Sequence, residues 1–477
     1  MKLSTLLENS SCKIDSSLAE LSINRIVFDT RQVTAGSLFV ALKGNRQDGH
    51  LFIQEAMKLG AVAALVDDPA YASARSILVE DTRLFLPELA QRFFSYPAQD
   101  ISLYGITGTN GKSTTAWLIF EMLRQTESPV GLIGTIQTKI DDTWFQNELT
   151  TPDPLFLAQF LRYLVDVKGR NCVMEVSSHG IDQKRVRGLR FHTLLFTNLS
   201  PEHLDYHHDI EEYFSVKASL LRDYPDSKRI INIDTDWGQR LAHELNGSVT
   251  LSCRDEQADF FVDQIMYGNS GTRFTVRHQG FGVVVNSPLL GAYNVENALA
   301  ALVALTVNGT PLGNAALLLE HVAQIPGRLE RSELPGGGAL IIDYAHTPDA
   351  FARLFEEIER LGYKNVITVF GAGGERDRIK RPLMGELACR YSNHLFLTDD
   401  NPRHEDPAII IGDIMSGCID DKVEVIHDRA EAIRTAVEQM TPDTLLLLLG
   451  KGHETYQVVG DEKQYFNERE IIAAATR

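Results

Sequence analysis

The sequence predicts an α/β protein of three domains: a small N-terminal α/β domain over residues 1–97, a central P-loop domain with a mostly parallel sheet over 98–326, and a C-terminal Rossmann-like domain over 327–477. Three observations carry that reading. Apolar runs of strand length alternate with helix-length runs along the whole chain, the pattern of βαβ units. The alternation is interrupted at Ser95-Tyr96-Pro97 and again near Pro326-Gly327. A chain of 477 residues is also long enough for about three domains of ordinary size, each with its own core.

In the first segment, strand-like runs lie at 25–28, 37–42 and 61–66, the last after a helical stretch at 52–59. Polar clusters follow the strands, Asp29-Thr30-Arg31 and Gly44-Asn45-Arg46-Gln47-Asp48-Gly49. Such clusters suit a ligand, and turn chemistry explains them equally well. A helical run at 84–94 ends at Ser95-Tyr96-Pro97, which reads as a linker.

The central segment opens on Gly105-Ile106-Thr107-Gly108-Thr109-Asn110-Gly111-Lys112-Ser113-Thr114-Thr115, entered from a strand-like run and followed by an apolar helix start. Gly108 and Gly111 let backbone come close to a ligand, N–H groups at a helix N-terminus point outward, and Lys112 adds a point charge. This is a polyphosphate cradle. The glycines stand three and six residues before Gly111, so the form is G-x-x-G-K-S and not the common spacing. Ser113 places a hydroxyl where the Mg²⁺ of a nucleoside triphosphate sits.

Further alternation at 130–134, 154–167, 172–176, 194–197 and 230–233 implies a mostly parallel sheet, whose ligands bind beyond the carboxyl ends of its strands. Glu175, Ser177-Ser178-His179-Gly180, Gln183, Arg185 and His203 fall at such ends. Each also has a bland reading: a solvated cap for Glu175, a hydrogen-bonded loop residue for His203, an exposed helical lysine for Lys217. Asn294 and Asn297, three apart before an alanine-leucine helix at 298–304, suit an adenine edge or a helix cap, and capping is the simpler assignment.

The third segment restarts with strand-like runs at 339–346, 365–370, 394–397 and 445–449. The polar stretches Gly371-Ala372-Gly373-Gly374-Glu375-Arg376-Asp377, Asp399-Asp400-Asn401-Pro402-Arg403 and Gly450-Lys451-Gly452-His453-Glu454 follow three of them. The glycines at 371, 373 and 374 lack the G-x-G-x-x-G spacing, so a nicotinamide site is not indicated.

Composition narrows the function. A net charge of -18 and a pI near 5.3 without a long basic run speak against nucleic acid as a partner. The longest aliphatic run, 445–449, is far too short to cross a bilayer. The N-terminus lacks a signal-peptide pattern, so the expected location is the cytoplasm. Five scattered cysteines indicate neither a disulfide framework nor a zinc site.

Taken together and in this order, GTNGKST, MEVSSHGIDQKRV, NLSPEHLDYH, YFSVK, GAYNVENALAA, GRLER, DYAHTPDA, GERDRIKRPLMG, TDDNPR and GKGHETYQ closely resemble the Mur ligase family over nearly the whole chain. GTNGK is shared with folylpolyglutamate synthetases, whereas SSHG-x-x-Q-x-R and DNPR are narrower. DNPR is similar to the form that accepts meso-2,6-diaminopimelate rather than lysine. The resemblance implies a cytoplasmic, monomeric ATP- and Mg²⁺-dependent ligase adding meso-diaminopimelate to UDP-N-acetylmuramoyl-L-alanyl-D-glutamate. That step belongs to peptidoglycan precursor synthesis, and through it to cell shape and division.

The resemblance also implies residue roles. Phe28, Thr30, Asn45, Arg46 and Gln47 would hold the uridine-diphosphate end, and Thr150, Thr151, Ser177, Gln183 and Arg185 the muramoyl-dipeptide. Gly108, Thr109, Asn110, Gly111, Lys112, Ser113 and Thr114 would wrap the ATP phosphates, with Asn294, Asn297, Arg328 and Asp343 completing the nucleotide site. Arg376, Asp400, Asn401, Pro402, Arg403, Gly450 and Glu454 would bind diaminopimelate. Lys112, Glu175, His203 and Lys217 would be catalytic, with metal held by Ser113, Glu175, His203 and Lys217 as a carbamate. Departures from the family pattern are Thr30 for serine, Ser113 for threonine, Glu202, Glu375 and Asn467 for aspartates, and Ala372 for cysteine.

The alternatives are a lysine-adding or folate-polyglutamylating ligase and, from another class, a nucleotide switch. SSHG-x-x-Q-x-R and DNPR speak against the folate enzyme. A switch needs a base-reading motif such as N-K-x-D, which the sequence lacks.

Overall fold

A computed structural model describes residues 1–476 except 9, 11, 13, 14, 45, 46, 148, 269, 270 and 419–421. The chain forms two compact units. The first comprises Met1–Asp263, Val276–Val283 and Asn297–Leu318; the second comprises Gln264–Thr275, Val284–Glu296 and Leu319–Arg477.

The first unit begins with a four-stranded parallel sheet, β1 (Arg25–Val27), β2 (Ser37–Val40), β3 (Ala61–Val66) and β4 (Ser76–Leu78), in sequence order. Strand side chains alternate between faces, and here both faces are apolar. Leu38, Val40, Ala63 and Leu65 enter one core with Leu86 and Leu89 of the helix Thr82–Phe93. Phe39, Ala41, Ala64 and Val66 enter another with Ile53 and Ala56 of the helix Ile53–Leu59.

The rest of this unit is built on β5 (Ser102–Thr107), β6 (Val130–Ile133), β7 (Thr138–Ile140), β8 (Thr143–Trp144), β9 (Asn171–Glu175), β10 (Phe191–Phe196), β11 (Lys228–Asn232) and β12 (Val249–Ser252). Their spatial order is β12-β11-β10-β5-β9-β6-β7-β8. The pairs from β12 to β6 are parallel, and β7 and β8 add antiparallel at the edge. Sequence periodicity did not predict that short hairpin. β5 lies between β9 and β10, with Ile106 beside Glu175 and Thr107 beside Phe196. Three carboxyl ends therefore open side by side. Three more strands, β13 (Phe260–Gly268), β14 (Gly271–His278) and β15 (Phe281–Ser287), follow in the chain.

The second unit holds β16 (Glu330–Glu333), β17 (Ala339–Asp343), β18 (Asn365–Phe370), β19 (His394–Leu397), β20 (Val423–Val425) and β21 (Thr444–Leu449), ordered β16-β17-β21-β18-β19-β20. All pairs are parallel except β16 with β17. The five leucines of β21 explain its central place. Leu445, Leu447 and Leu449 face one core, while Leu446 and Leu448 face another. A strand covered on both faces needs such an unbroken apolar run. A hairpin, β22 (Tyr456–Val459) with β23 (Glu462–Tyr465), follows.

Candidate functional site

The loop between β5 and the helix Lys112–Arg124 is fixed from three sides. Gly108 and Gly111 have φ of 143° and 84°, backbone that glycine adopts without steric cost. A Cβ on Gly108 would run into Thr197 Oγ1, and one on Gly111 into Asn297 Oδ1. The segment after β10 grips the loop: the Thr109 N–H donates to the Asn198 carbonyl at 2.9 Å, the Asn110 N–H to Asn198 Oδ1 at 2.9 Å, and Thr197 Oγ1 to the Asn110 carbonyl at 2.7 Å. Asn198 and Thr197 were not among the sequence-derived site residues. Their positions after a strand were legible, but their contacts are made across the sheet.

Two lysine side chains converge on this loop. Lys112 Nζ donates to the carbonyls of Gly108 at 2.9 Å and Thr109 at 2.7 Å. Lys217 Nζ donates to the same Gly108 carbonyl at 2.7 Å and stands 4.6 Å from the centre of the Tyr213 ring. Lys217 is only 1% exposed, which overturns its reading as an exposed helical lysine. Burial holds it well below the usual lysine range, and Lys112 pushes it the same way against Glu202. A lysine so placed gains from losing its proton.

Glu175 is buried and is no solvated cap. Its carboxylate accepts from Ser113 Oγ at 2.8 Å, the Thr135 N–H at 2.7 Å and Thr135 Oγ1 at 3.2 Å. Thr135 Oγ1 lies 2.9 Å from Thr150 Oγ1. Thr151 Oγ1 donates to the Glu175 carbonyl at 3.0 Å and accepts the Ser177 N–H at 2.9 Å, and Arg185 donates to the Thr151 carbonyl at 2.7 Å and to Gln183 Oε1 at 2.6 Å. Glu175 is thus linked through hydrogen bonds to the residues assigned to the dipeptide. His203, at φ 57°, is held below the usual imidazole range by burial, with Lys112 and Lys217 adding to it against Glu202. Its ring lies 5.0 Å from that of His179, whose pKa burial and the other histidines lower to about 4.

Among the described residues no group of three His, Cys, Asp or Glu is arranged to hold a metal. The Ser113 hydroxyl and Glu175 carboxylate are hard oxygen donors. Mg²⁺ suits such a sparse set, since it retains waters and takes phosphate oxygens as ligands. The residues therefore fit a phosphate-borne Mg²⁺. As an ammonium, Lys217 is no ligand.

Asn294 and Asn297 both lie inside the helix Ala292–Val307, not before it, so the capping assignment fails for Asn297. Its Oδ1 accepts from Thr115 Oγ1 at 3.3 Å, beside the phosphate loop. Asn294 is buried and donates to the Leu290 carbonyl at 2.7 Å. Phe28 and Thr30 are half-buried and Gln47 is exposed; Asn45 and Arg46 lie outside the described residues.

In the second unit the polar loops gather at the carboxyl ends of β17, β18, β19 and β21. Buried Asp343 accepts the Leu329 N–H at 2.7 Å and the Ala345 N–H at 2.8 Å; burial raises its pKa, opposed by Arg328. Arg328 lies 5.0 Å from the centre of the Tyr344 ring. Arg403, at φ 53°, is half-buried and donates to the Gly374 carbonyl at 2.8 Å, so it is not a solvent-facing turn residue. Asn401 Nδ2 donates to Glu454 Oε2 at 2.9 Å, and Asp400 Oδ2 is buried without a hydrogen-bond partner. Gly450 donates its N–H to the Asp343 carbonyl at 3.1 Å. Pro402 is buried and Arg376 is exposed. Arg381, fully buried, grips Glu405 with two bonds of 2.8 Å and Asp413 with another of 2.8 Å. Glu405 also accepts the Glu375 N–H at 3.0 Å, which ties the glycine-rich stretch to the Arg403 loop.

A phosphate loop in one α/β unit and a second such unit with polar loops at its strand ends suit an enzyme that binds a nucleotide. Three family profiles cover most of the chain: Mur ligase family, catalytic domain, over residues 22–94; Mur ligase middle domain over 106–305; and Mur ligase, glutamate ligase domain, over 327–452. The chain belongs to the Mur ligase family.

Among its curated relatives, UDP-N-acetylmuramoyl-L-alanyl-D-glutamate–2,6-diaminopimelate ligase of Syntrophomonas wolfei is 35% identical over 100% of this chain and 99% of its own. The enzyme of that name from Geobacter metallireducens is 39% identical over 96% of this chain and 94% of its own. A solved structure of a ligase with the same name superposes with a TM-score of 0.73 at 30% identity, covering 100% of this chain and 99% of the other. MurF ligase from Thermotoga maritima in complex with ADP shares the fold, with a TM-score of 0.63 at 20% identity over 90% of this chain and 94% of the other.

Proposed function

We propose that this chain joins meso-2,6-diaminopimelate to UDP-N-acetylmuramoyl-L-alanyl-D-glutamate, driven by ATP, in peptidoglycan precursor synthesis. The observation that carries the reading is similarity from end to end to relatives bearing that name. The reading includes the three domains 1–97, 98–326 and 327–477, and a cytoplasmic monomer. No helix among the described residues is long and apolar enough to cross a membrane.

Amide formation from a carboxylate and an amine in water is uphill, so the carboxylate must acquire a leaving group. A D-glutamyl carboxylate oxygen attacks the γ-phosphorus of ATP, the bond to ADP breaks, and an acyl phosphate forms. Both reactants are anionic. Lys112 and the loop N–H groups lower that repulsion by stabilising charge on the phosphates. Bound Mg²⁺ would neutralise phosphate charge further, held by Ser113, Glu175 and His203 and by Lys217 once carbamylated. Neutral Lys217 can form an N–C bond to CO₂ and release a proton, which would give a carbamate with anionic oxygens in place of a repelled ammonium. The diaminopimelate amine then attacks the acyl carbon, phosphate leaves, and loss of a proton yields the amide. Thr150, Thr151, Ser177, Gln183 and Arg185 position the dipeptide, and Phe28, Thr30, Asn45, Arg46 and Gln47 the uridine-diphosphate end. Asn294, Asn297, Arg328 and Asp343 complete the nucleotide site. Arg376, Asp400, Asn401, Pro402, Arg403, Gly450 and Glu454 receive the amino acid.

The test is phosphate release from ATP. It should require both UDP-muramoyl-dipeptide and diaminopimelate; release with neither substrate, or with a folate in place of the dipeptide, would refute the assignment.

A further inference from the structure

The fold buries a lysine that the proposed chemistry does not use. Lys451 is 0% exposed, at the start of the loop that follows β21. Its Nζ donates to the Tyr456 carbonyl at 2.8 Å and to Asn401 Oδ1 at 3.1 Å, and lies 3.8 Å from Asp400 Oδ1 and 3.7 Å from Glu454 Oε2. The Phe466 ring centre is 5.8 Å away.

These contacts decide how Asn401 is oriented. A side-chain amide has an acceptor end and a donor end of nearly the same shape, so its neighbours select the orientation. Asn401 Oδ1 accepts from two donors, Lys451 Nζ and the Val458 N–H at 2.9 Å. Turned over, the NH₂ group would face two donors and the oxygen would face the Glu454 carboxylate. Both contacts would become repulsive. Lys451 therefore holds Asn401 with its NH₂ toward Glu454. It also supplies positive charge between the buried Asp400 carboxylate and the half-buried Glu454 carboxylate, which would otherwise repel each other.

We propose that Lys451 is a positioning residue that sets the amino-acid site: it locks the Asn401 amide and keeps Asp400 and Glu454 together as a paired receptor for the cationic amine of the incoming amino acid. The inference rests on the reading above that these loops receive diaminopimelate. Glu454 supports it: burial and Asp400 raise its pKa, while Lys451, the Asn401 hydrogen bond and Arg403 oppose the rise. Burial and then the same two carboxylates, with Tyr456, raise the Tyr344 pKa, opposed by Arg328. Without Lys451, Glu454 would take up a proton more readily and lose its grip on a cation.

The experiment compares wild type, Lys451→Met and Lys451→Arg. In Lys451→Met the KM for diaminopimelate should rise about ten- to hundredfold, the worth of one charge-assisted hydrogen bond, with the KM for ATP nearly unchanged. The acidic limb of kcat/KM for diaminopimelate should move to higher pH, and Lys451→Arg should bring that limb back. Equal rises in both KM values, or an unmoved limb, would overturn the proposal. A second readout needs no substrate: hydrogen exchange at the Asn401 side-chain NH₂, followed by NMR. Exchange should quicken in Lys451→Met, and an unchanged rate would overturn the proposal even if the enzyme joined a different amino acid. Should Lys451→Met not fold, Lys451→Arg alone decides: a raised diaminopimelate KM with an unmoved limb supports the proposal, and a moved limb with an unchanged KM overturns it.

Discussion

Lys217 and Lys451 are both lysines removed from water, one beside the phosphate loop and one beside the amino-acid loops, and their surroundings are opposite in charge. Lys217 donates to the Gly108 carbonyl with the Lys112 ammonium close by, and burial drives it toward its neutral form. Lys451 sits among Asn401, Asp400 and Glu454. The first arrangement favours a neutral amine, and the second, on the role proposed for Lys451, an ammonium held among acceptors. Burial alone does not assign a role to a lysine, because the sign of the charges buried with it decides between reactivity and architecture.

The comparison breaks most sharply at Lys112. Lys112→Ala should lower kcat by about a hundred- to a thousandfold, the range seen when one preorganised transition-state donor is removed, with the fold intact by circular dichroism. A folded variant with near-normal turnover would remove the phosphate loop from the mechanism.

Selectivity comes next. Diaminopimelate carries a carboxylate that lysine lacks, and a guanidinium grips a carboxylate with two parallel hydrogen bonds. Arg403→Ala should lower kcat/KM for diaminopimelate by roughly a hundredfold or more and leave the value for L-lysine little changed. Equal losses would mean that Arg403 supports the loop through Gly374 and does not read the substrate.

Stability then sharpens the lysine comparison. Because the folded-state pKa of Lys217 is depressed, the unfolded chain binds more protons at neutral pH, and wild-type stability on this account rises toward pH 10.5, the ordinary lysine value. In bicarbonate-free buffer Lys217→Met should melt a few degrees higher than wild type near pH 7, and the gain should shrink as pH rises. A gain that is constant with pH would contradict the depressed pKa.

The smallest effect concerns the clasp under the Arg403 loop. Hydrogen bonds from Arg381 lower the Glu405 pKa to about 2, so the clasp stabilises fully above the usual carboxylate pKa of 4.5 and is lost as pH falls through about 2. Glu405→Gln should melt lower than wild type at pH 7 and converge with it in acid. A difference as large at pH 2 as at pH 7 would place the effect elsewhere.

How much of this was legible in the sequence follows from the range of the forces. Gly108, Gly111 and Lys112 stand out because a phosphate loop is a local backbone constraint, and the leucines of β21 announce a strand covered on both faces. Glu175 and Lys217 read as surface residues until the sheet and the helix Ile210–Arg222 bury them. Asn297 looked like a cap because the predicted helix began at 298, whereas it begins at Ala292. The β7–β8 hairpin and β16 were missed because they are short antiparallel additions with little periodicity. Lys451 was visible within Gly450-Lys451-Gly452-His453-Glu454, yet nothing local distinguishes a buried lysine from a solvated one.

The central claim is that a carboxylate is activated as an acyl phosphate before the amine arrives. It is tested most directly with UDP-muramoyl-dipeptide labelled with ¹⁸O in the D-glutamyl carboxylate, incubated with ATP, diaminopimelate and enzyme, and read by mass spectrometry of the released phosphate. One ¹⁸O per phosphate is the predicted result. Unlabelled phosphate, with the ¹⁸O lost from the carboxylate appearing in water instead, would contradict the account.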